Sequence, residues 1–463
     1  MHDGKRVVIT YGTYDLLHYG HTRLMERAKA LGDYLIVGVT SDAFDRDRGK
    51  LNVFQPLSDR LNAVLSTGIP DKVIVEEFQG QKISDILKYG VDVFAIGSDW
   101  EGKFDFLKEY CEVVYLPRTE GVSSTELRAE KAKIIRVGCI GADYFSARII
   151  RESAHVAGIE VAGYCAIPGQ TDDMFEEAEN TQAYPSMDAM LADVDAVFIS
   201  APINLRAGLI RDALETGRHV LCESPLFLSR SEGEELFDLA EANGLVLMEA
   251  LKTMYLPAFE HLRLLIASGV IGEVKDVRAS YSHVFEALDK NDKYQGSFYD
   301  MGAYALLPAI ALLGSEYSDA RLVCSYEGDF CTWTKADLLY PQASATLNVG
   351  RGIKTEGDMV ITGTSGYIYV PAPWWKTDYF EVRMEDLRNT RKFYYESAGE
   401  GQRYELFQFA ARVNGSLDAY DASRSRANVL AVTDLIERFD KGDVIALEKG
   451  TYEFGGGERV TDR

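Results

Sequence analysis

Positive charge is scarce in this sequence. Its 463 residues hold 49 lysines and arginines against 72 aspartates and glutamates, giving a net charge of −23 and a pI near 4.8. So acidic a chain is a poor binder of nucleic acid or anionic membrane surfaces, since both need a basic face. Anionic small molecules can bind only where basic residues gather locally. Histidine is rarer still, at 7. The six cysteines, Cys111, Cys139, Cys165, Cys222, Cys324 and Cys331, lack metal-ligand spacing. Most stand in apolar, strand-like surroundings that suit reduced core thiols. No apolar run approaches the ~18 residues that a membrane span needs. Met1 to Arg6 is charged and leads directly into a strand, so no signal peptide is expected and the cytoplasm is the expected location. Repeats and low-complexity linkers are missing too. What remains is ordinary globular composition, 46% hydrophobic and 26% charged, at a length that suggests about three domains.

Two strand–turn–helix openings organise the chain. The first strand, Arg6 to Thr10, leads through a turn into a helix with apolar residues at Leu24, Met25, Ala28 and Leu31. Gly32 stops that helix, and Tyr34 to Val39 forms a second strand. Short buried strands joined by helices imply a parallel sheet. Further strands are expected at Lys72–Val75, Val91–Ile96 and Val113–Leu116. After the charged joint Arg128 to Lys133 the pattern restarts at Ile134. Strands at Ile159–Tyr164, Ala196–Ser200, His219–Cys222 and Leu245–Met248 complete a second doubly wound unit. From about Glu273 the texture changes. Val274–His283 and Tyr340–Arg351 alternate apolar and polar residues, as half-buried antiparallel strands do. A helix over about Ser423–Phe439 closes the third part. The expected domains are 1–130, 134–250 and 251–445.

Between the first strand and helix stands His18-Tyr19-Gly20-His21. Two imidazoles three residues apart at a helix start can point the same way. There they meet the positive end of the helix dipole and unpaired backbone N–H groups. Gly20 leaves room for close approach. This arrangement suits attack of a phosphate oxygen on the α-phosphorus of a nucleotide, whose charged transition state needs fixed donors more than a base.

Longer stretches extend this signal. They are Tyr11-Gly12-Thr13-Tyr14-Asp15-Leu16-Leu17-His18, Glu26 to Leu35, Asp99-Trp100-Glu101-Gly102-Lys103-Phe104, and Pro117-Arg118-Thr119-Glu120-Gly121-Val122-Ser123-Ser124-Thr125. With them, residues 6 to about 128 resemble the H-x-G-H nucleotidyltransferase superfamily in its glycerol-3-phosphate cytidylyltransferase branch. The last stretch is similar to that family's second signature, R-T-x-G-I-S-T-T. The resemblance implies a Rossmann-like domain that uses CTP with Mg²⁺ and a polyol phosphate to make a CDP-polyol for teichoic acid or capsule biosynthesis. It implies that His18, His21 and Arg118 act on the nucleotide phosphates. It implies substrate binding by Thr13, Tyr14, Asp15, Lys50, Arg60, Lys82, Asp99, Trp100, Thr119, Ser123, Ser124 and Thr125. Trp100 reads equally as a base neighbour or a core tryptophan. Ser98 replaces the first Asp of the family's G-D-D-W, and Phe78 stands where a Trp is usual. These departures bear on the acceptor alcohol.

Residues 134 to about 440 resemble the Gfo/Idh/MocA oxidoreductase family. The carrying stretches are His219 to Pro225, Leu247 to Leu251, Asp300-Met301-Gly302-Ala303-Tyr304 and Ile361 to Gly366. The resemblance implies an NAD(P)-binding-type Rossmann domain and then an α+β domain with an open antiparallel sheet, through which subunits pair into a homo-oligomer. The expected fold class is therefore α/β, with two Rossmann-like units followed by an α+β domain carrying an open antiparallel sheet. The dinucleotide turn departs from G-x-G-x-x-G. It opens with Gly138, Gly141 and Ala142, but Asp143 takes the second glycine's place, adding bulk and negative charge beside a pyrophosphate. The family's E-K-P is Glu223-Ser224-Pro225, without its lysine. Glu223, Lys252, Asp300 and Tyr304 are the candidate redox residues, with Lys252 either replacing the lost ammonium or lying as a surface cation. Two functions follow for this half. One is a domain degenerate in its redox motifs. The other is a reductase that makes the polyol phosphate from a keto-phosphate with NAD(P)H.

Overall fold

The computed structural model describes residues 5–47, 53, 55, 57–78, 80–117, 134–156, 158–167, 181–284, 289–395, 399–415 and 419–448. The first unit runs β1 (Val7–Gly12), α1 (Tyr19–Lys29), β2 (Tyr34–Thr40), α2 (Asp42–Asp47), α3 (Leu57–Ser66), β3 (Lys72–Glu76), α4 (Gln81–Tyr89), β4 (Val93–Gly97) and β5 (Glu112–Leu116). Its five strands are all parallel, in the order β3-β2-β1-β4-β5. The strands are nearly all apolar because both faces are covered: Val8, Leu35, Val37 and Val93 pack on one side, Ile9, Ile36, Phe94 and Ile96 on the other. Consecutive strands diverge on either side of β1. A crevice therefore opens between the carboxyl ends of β1 and β4, where doubly wound sheets bind ligands.

The second unit repeats the plan. It runs β6 (Ile135–Ile140), α5 (Tyr144–Ser153), β7 (Ile159–Cys165), β8 (Gln182–Ala183), α6 (Met187–Leu191), β9 (Ala196–Ile199), α7 (Ile203–Glu215), β10 (His219–Glu223), α8 (Arg230–Ala242) and β11 (Leu247–Ala250). The order is β11-β10-β9-β6-β7-β8, again parallel, with the switch between β6 and β9. Gly141 leaves β6 at φ +110, and a Cβ there would meet the Ser200 carbonyl oxygen at 1.9 Å. Only glycine lets the turn pass so close to the strand beside it.

The third unit holds α9 (Pro257–Ala267), β12 (Val274–His283), α10 (Ser297–Leu313), β13 (Asp319–Glu327), β14 (Phe330–Leu339), β15 (Ser344–Arg351), β16 (Met359–Gly363), β17 (Gly366–Val370), β18 (Tyr379–Met384), β19 (Arg391–Tyr394), α11 (Gln402–Val413), α12 (Ala419–Asp440) and β20 (Ile445–Ala446). Its nine strands form one sheet, mostly antiparallel, with β12 parallel to β15 and β13 parallel to β20. α10 is apolar enough and, with the turn before it, long enough to cross a membrane, but 78% of that stretch is buried inside the protein. It is the core helix under the sheet, packed by Phe298, Met301, Leu306 and Ile310. One core runs without a break from β9 and β10 through α10 into this sheet. α11 returns to the second unit: Leu406, Phe409 and Ala410 complete the core on one face of its sheet. Among the described residues, the first unit's two cores draw on residues before 117 alone.

One strand start shifts, and the cysteines stand as expected. The strand expected from Tyr340 starts at Ser344, because Tyr340 closes a turn in which its N–H donates to the Ala343 carbonyl. Five cysteines are buried and Cys111 is half-buried, and all six are free thiols.

Candidate functional site

At the β1–β4 crevice the loop after β1 holds two non-glycine residues in left-handed conformation, Tyr14 at φ +53 and Leu16 at φ +46. Such strain persists only where surrounding contacts enforce it. Here Tyr14 is buried, and Leu16 N donates to Gln55 Oε1 at 2.8 Å. Asp15, also buried, accepts from Gln55 N at 2.9 Å. The strained loop delivers His18 to the N-cap of α1 in extended conformation. Gly20 N donates to His18 Nδ1 at 3.1 Å. That bond fixes the neutral tautomer, so the proton sits on Nε2. His21 stacks on His18 with ring centroids 4.0 Å apart, and Tyr14 meets the edge of His21 at 5.4 Å. The two imidazoles are thus parallel plates at a helix N-terminus, held by a buried phenol.

The other residues named for this site divide. Trp100, on the short helix Ser98–Trp100 after β4, is 43% exposed and carries Lys103 over its ring at 5.4 Å. The core alternative for Trp100 is therefore wrong; with exposed Asp99 it edges the crevice from the β4 side. Thr13 donates to Asp45 Oδ1 at 3.0 Å. Lys82 is ion-paired with buried Glu76 and lies 4.6 Å from the Tyr11 ring centroid. Arg60, expected to bind substrate, has a side chain that is 0% exposed. Its guanidinium donates to the carbonyls of Gln55 (2.9 Å), Thr13 (2.7 Å) and Thr40 (2.9 Å), and pairs with Asp42 and Asp45. It ties the strained loop to β2 and α2. Arg60→Met should therefore destabilise this unit by ~3–5 kcal/mol, read as a lower urea midpoint, because Asp45 would stay buried without its cation. Lysine cannot serve so many acceptors at once and should rescue little. Sequence reasoning missed Asp42, Asp45 and Gln55, which carry no motif. Lys50, Arg118, Thr119, Ser123, Ser124 and Thr125 lie outside the described residues.

In the second unit, Asp143 is the N-cap of α5. Its Oδ1 accepts from Ser146 N at 3.0 Å and its Oδ2 from Ser200 Oγ at 2.6 Å. A carboxylate thus already occupies the helix N-terminus where a dinucleotide turn seats its pyrophosphate. Gly138 packs against Met190, Gly141 makes the turn and Ala142 is buried.

Beyond this turn the buried charged groups gather. Glu223 and Glu249 are buried, and burial pushes both carboxyls up to about 7. Ser224 Oγ donates to Glu249 Oε1 at 2.7 Å. Lys252 is only 8% exposed, which overturns its reading as a surface cation. Burial, with Arg148 nearby, lowers its ammonium to about 8. Burial holds the Tyr304 phenol and the Glu405 carboxyl well above their ordinary ranges. Glu223 is close enough to Asp143, Lys252, Glu405 and Tyr304 for their charges to act on one another. Tyr304 stacks on Tyr281 at 5.4 Å, and Asp300 pairs with Arg351 at 2.6 Å nearer the surface. So dense a set of shifted groups marks a candidate functional site. Its members Arg148, Glu249 and Glu405 were missed: Arg148 and Glu405 stand in helices with no motif around them, and Glu249 lies in the Leu247–Leu251 stretch, which was given no site role.

A strand-end crevice with paired imidazoles at a helix start defines a nucleotidyltransferase, and comparison with known proteins agrees. Residues 9–130 match the family model "Cytidylyltransferase-like", residues 135–251 "Oxidoreductase family, NAD-binding Rossmann fold", and residues 259–369 "GFO/IDH/MocA C-terminal domain". The glycerol-3-phosphate cytidylyltransferase of Bacillus subtilis (strain 168) is 51% identical over 125 residues, which are 27% of this chain and 96% of that protein. The dTDP-3,4-didehydro-2,6-dideoxy-alpha-D-glucose 3-reductase of Streptomyces violaceoruber is 32% identical over 252 residues, covering 50% of this chain and 74% of that one. A 3-ketoreductase from Actinomadura kijaniata, solved with NADP and TDP-benzene, covers 68% of this chain and 99% of its own, with TM-score 0.58 and 24% identity, a likeness of fold. The chain belongs to the glycerol-3-phosphate cytidylyltransferase type of nucleotidyltransferase in its first part and to the GFO/IDH/MocA oxidoreductase family in the rest.

Proposed function

We propose that residues 1–130 transfer CMP from CTP to glycerol-3-phosphate, or a related polyol phosphate, giving CDP-glycerol and pyrophosphate. The stacked His18–His21 pair at the start of α1 carries this reading. A phosphate oxygen of the acceptor forms the new bond to the α-phosphorus, and the bond to the β-phosphate's bridging oxygen breaks. His18 donates from Nε2, since Nδ1 is already bonded to Gly20 N, and His21 adds a second donor beside it. The α1 dipole adds fixed positive potential. Mg²⁺ arrives as the counter-ion of CTP. The test is pyrophosphate release from CTP and glycerol-3-phosphate by the full chain; release no faster than without acceptor refutes the reading.

We also propose that this part is an independent domain. Its cores are self-contained, and its relative is a protein of almost the same extent. A fragment of residues 1–130 should fold cooperatively and keep transfer activity within about tenfold of the full chain. An insoluble fragment would show that the remainder supports its core.

For the second half, the charge on Asp143 favours a domain weakened in cofactor binding. Buried Lys252 beside Glu223 and Tyr304 favours a second reading. In it, this half reduces a keto-phosphate with NAD(P)H to supply the polyol phosphate that the first half activates. NAD(P)H consumption with dihydroxyacetone phosphate tests it. Pairing of two chains through the nine-stranded sheet is proposed for either case, and light scattering of the full chain checks it.

A further inference from the structure

Three cations from separate elements converge on one residue, Glu400, beside the buried cluster: two on its carboxylate and one on its main-chain carbonyl. Arg148 Nη2 of α5 donates to Glu400 Oε2 at 2.9 Å and to the Glu400 carbonyl at 3.2 Å. Lys376 Nζ, on the short helix Trp374–Lys376, donates to the same Oε2 at 3.2 Å. Lys252 Nζ donates to the Glu400 carbonyl at 2.8 Å. Glu400 stands between two left-handed glycines, Gly399 at φ +63 and Gly401 at φ +97. A Cβ on Gly399 would meet Arg403 Nη2 and Glu152 Oε1 at 2.3 Å, so the turn is built to pass this close. Lys252, Leu256, Lys376 and the turn line a small cleft.

Two of these cations are almost wholly buried, Arg148 at 7% and Lys252 at 8% exposed. Arg148 Nε is buried with no hydrogen-bond partner among the described residues. Glu152 is committed to Arg403 at 2.8 and 3.1 Å. Glu405 is buried, and burial pushes its carboxyl well above the ordinary carboxylate range, while Lys252 and Arg148 pull it back down. Among the described residues, the Glu400 carboxylate is the one in direct contact with these cations, with Glu405 and Glu223 within electrostatic reach of Lys252. Buried cations without matching anions are unfavourable unless something else neutralises them. A planar guanidinium with two ammonium groups matches a phosphoryl dianion in geometry and charge.

We propose that Arg148, Lys252 and Lys376 bind the phosphoryl group of a small phosphate monoester, and that the Glu400 carboxylate is an internal stand-in for that anion. The site follows from geometry and charge whether or not hydride transfer occurs; only the identity of the ligand's carbon chain rests on the keto-phosphate reading. The same cations could instead serve a phosphate of the nucleotide cofactor, so the test carries both ligands.

Dihydroxyacetone phosphate, inorganic phosphate and NADP⁺ are titrated calorimetrically into the full chain and into its Glu400→Gln and Lys376→Met variants. Glutamine keeps the shape and removes the competing charge. Lys376 is half exposed, so its loss spares the fold, and matching thermal midpoints verify this. Binding at the first domain's acceptor site is common to all three chains and cancels. Dihydroxyacetone phosphate should bind about tenfold tighter to Glu400→Gln and about tenfold weaker to Lys376→Met, with inorganic phosphate following in smaller steps and NADP⁺ unchanged. Equal affinities in all three chains overturn the proposal. A change in NADP⁺ affinity with none for dihydroxyacetone phosphate also overturns it, giving the cations to the cofactor. If the binding differences appear but dihydroxyacetone phosphate never oxidises NAD(P)H, the anion site stands and the reductase reading falls.

Discussion

Alanine at His18 or at His21 is expected to lower cytidylyl transfer by at least ~10²–10³-fold, the usual loss for a donor aimed at developing charge. The two rings are 4.0 Å apart and nearly parallel, so neither replaces the other's donor direction. His18 has a second role that must be separated from the first. Its Nδ1 caps α1, and losing a cap costs about 1 kcal/mol of stability. His18→Asn resolves the two, because asparagine caps a helix well but places no donor where Nε2 stands. Transfer by His18→Asn should be as poor as by His18→Ala, while its urea midpoint stays near wild type. Near-normal turnover in His18→Asn would reduce His18 to a cap. His21 lies in the first turn of α1, so His21→Ala should change activity far more than stability. Pyrophosphate release under saturating CTP reads all three variants.

The sequence is most legible where local pattern and chemistry coincide. The parallel strands of both doubly wound units are short apolar runs, and each glycine turn stands where a strand must feed a helix. The H-x-G-H pair is legible because spacing along the first turn of a helix decides whether two rings can stack. Arg60 misleads because a lone arginine carries no sign of its burial. Its partners come from the β1–α1 loop, β2, α2 and the segment before α3, and only the folded sheet brings them together. Lys252 is ambiguous in sequence for the same reason. It follows β11 by two residues, where chain position permits either solvent or cleft, and the turn around Glu400, nearly 150 residues later, closes over it. The Arg148–Glu400 contact spans still more of the chain. Such long-range ion pairs leave no periodicity, so the contacts around Glu400 could not be read in advance, and of the buried carboxyls only Glu223 was.

The second large effect is expected at Asp143. The wild-type chain should bind NADH and NADPH weakly, and removing the carboxylate should tighten both by tenfold or more. Two like charges at ~4 Å repel by ~4 kcal/mol at an effective dielectric of 20, and screening leaves part of that to oppose a pyrophosphate. The carboxylate is not free to swing aside, since both its oxygens are used, one on Ser146 N and one on Ser200 Oγ. Charge and bulk can be told apart. Asp143→Asn keeps the cap and the volume and removes only the charge. Asp143→Gly removes both; the backbone at φ −136 makes no demand for glycine, and replacing the cap by glycine costs only a few tenths of a kcal/mol. If repulsion outweighs bulk, most of the gain is already present in the asparagine variant. A gain confined to glycine would mean that the side chain fills the seat by bulk. Nicotinamide fluorescence on titration with each chain measures this, and added salt should narrow the wild-type to asparagine gap. Micromolar binding by the unaltered chain, unchanged in either variant, would remove Asp143 as an obstacle. The reductase would then become the better account of the second half, with Lys252 in the place that Ser224 leaves without an ammonium.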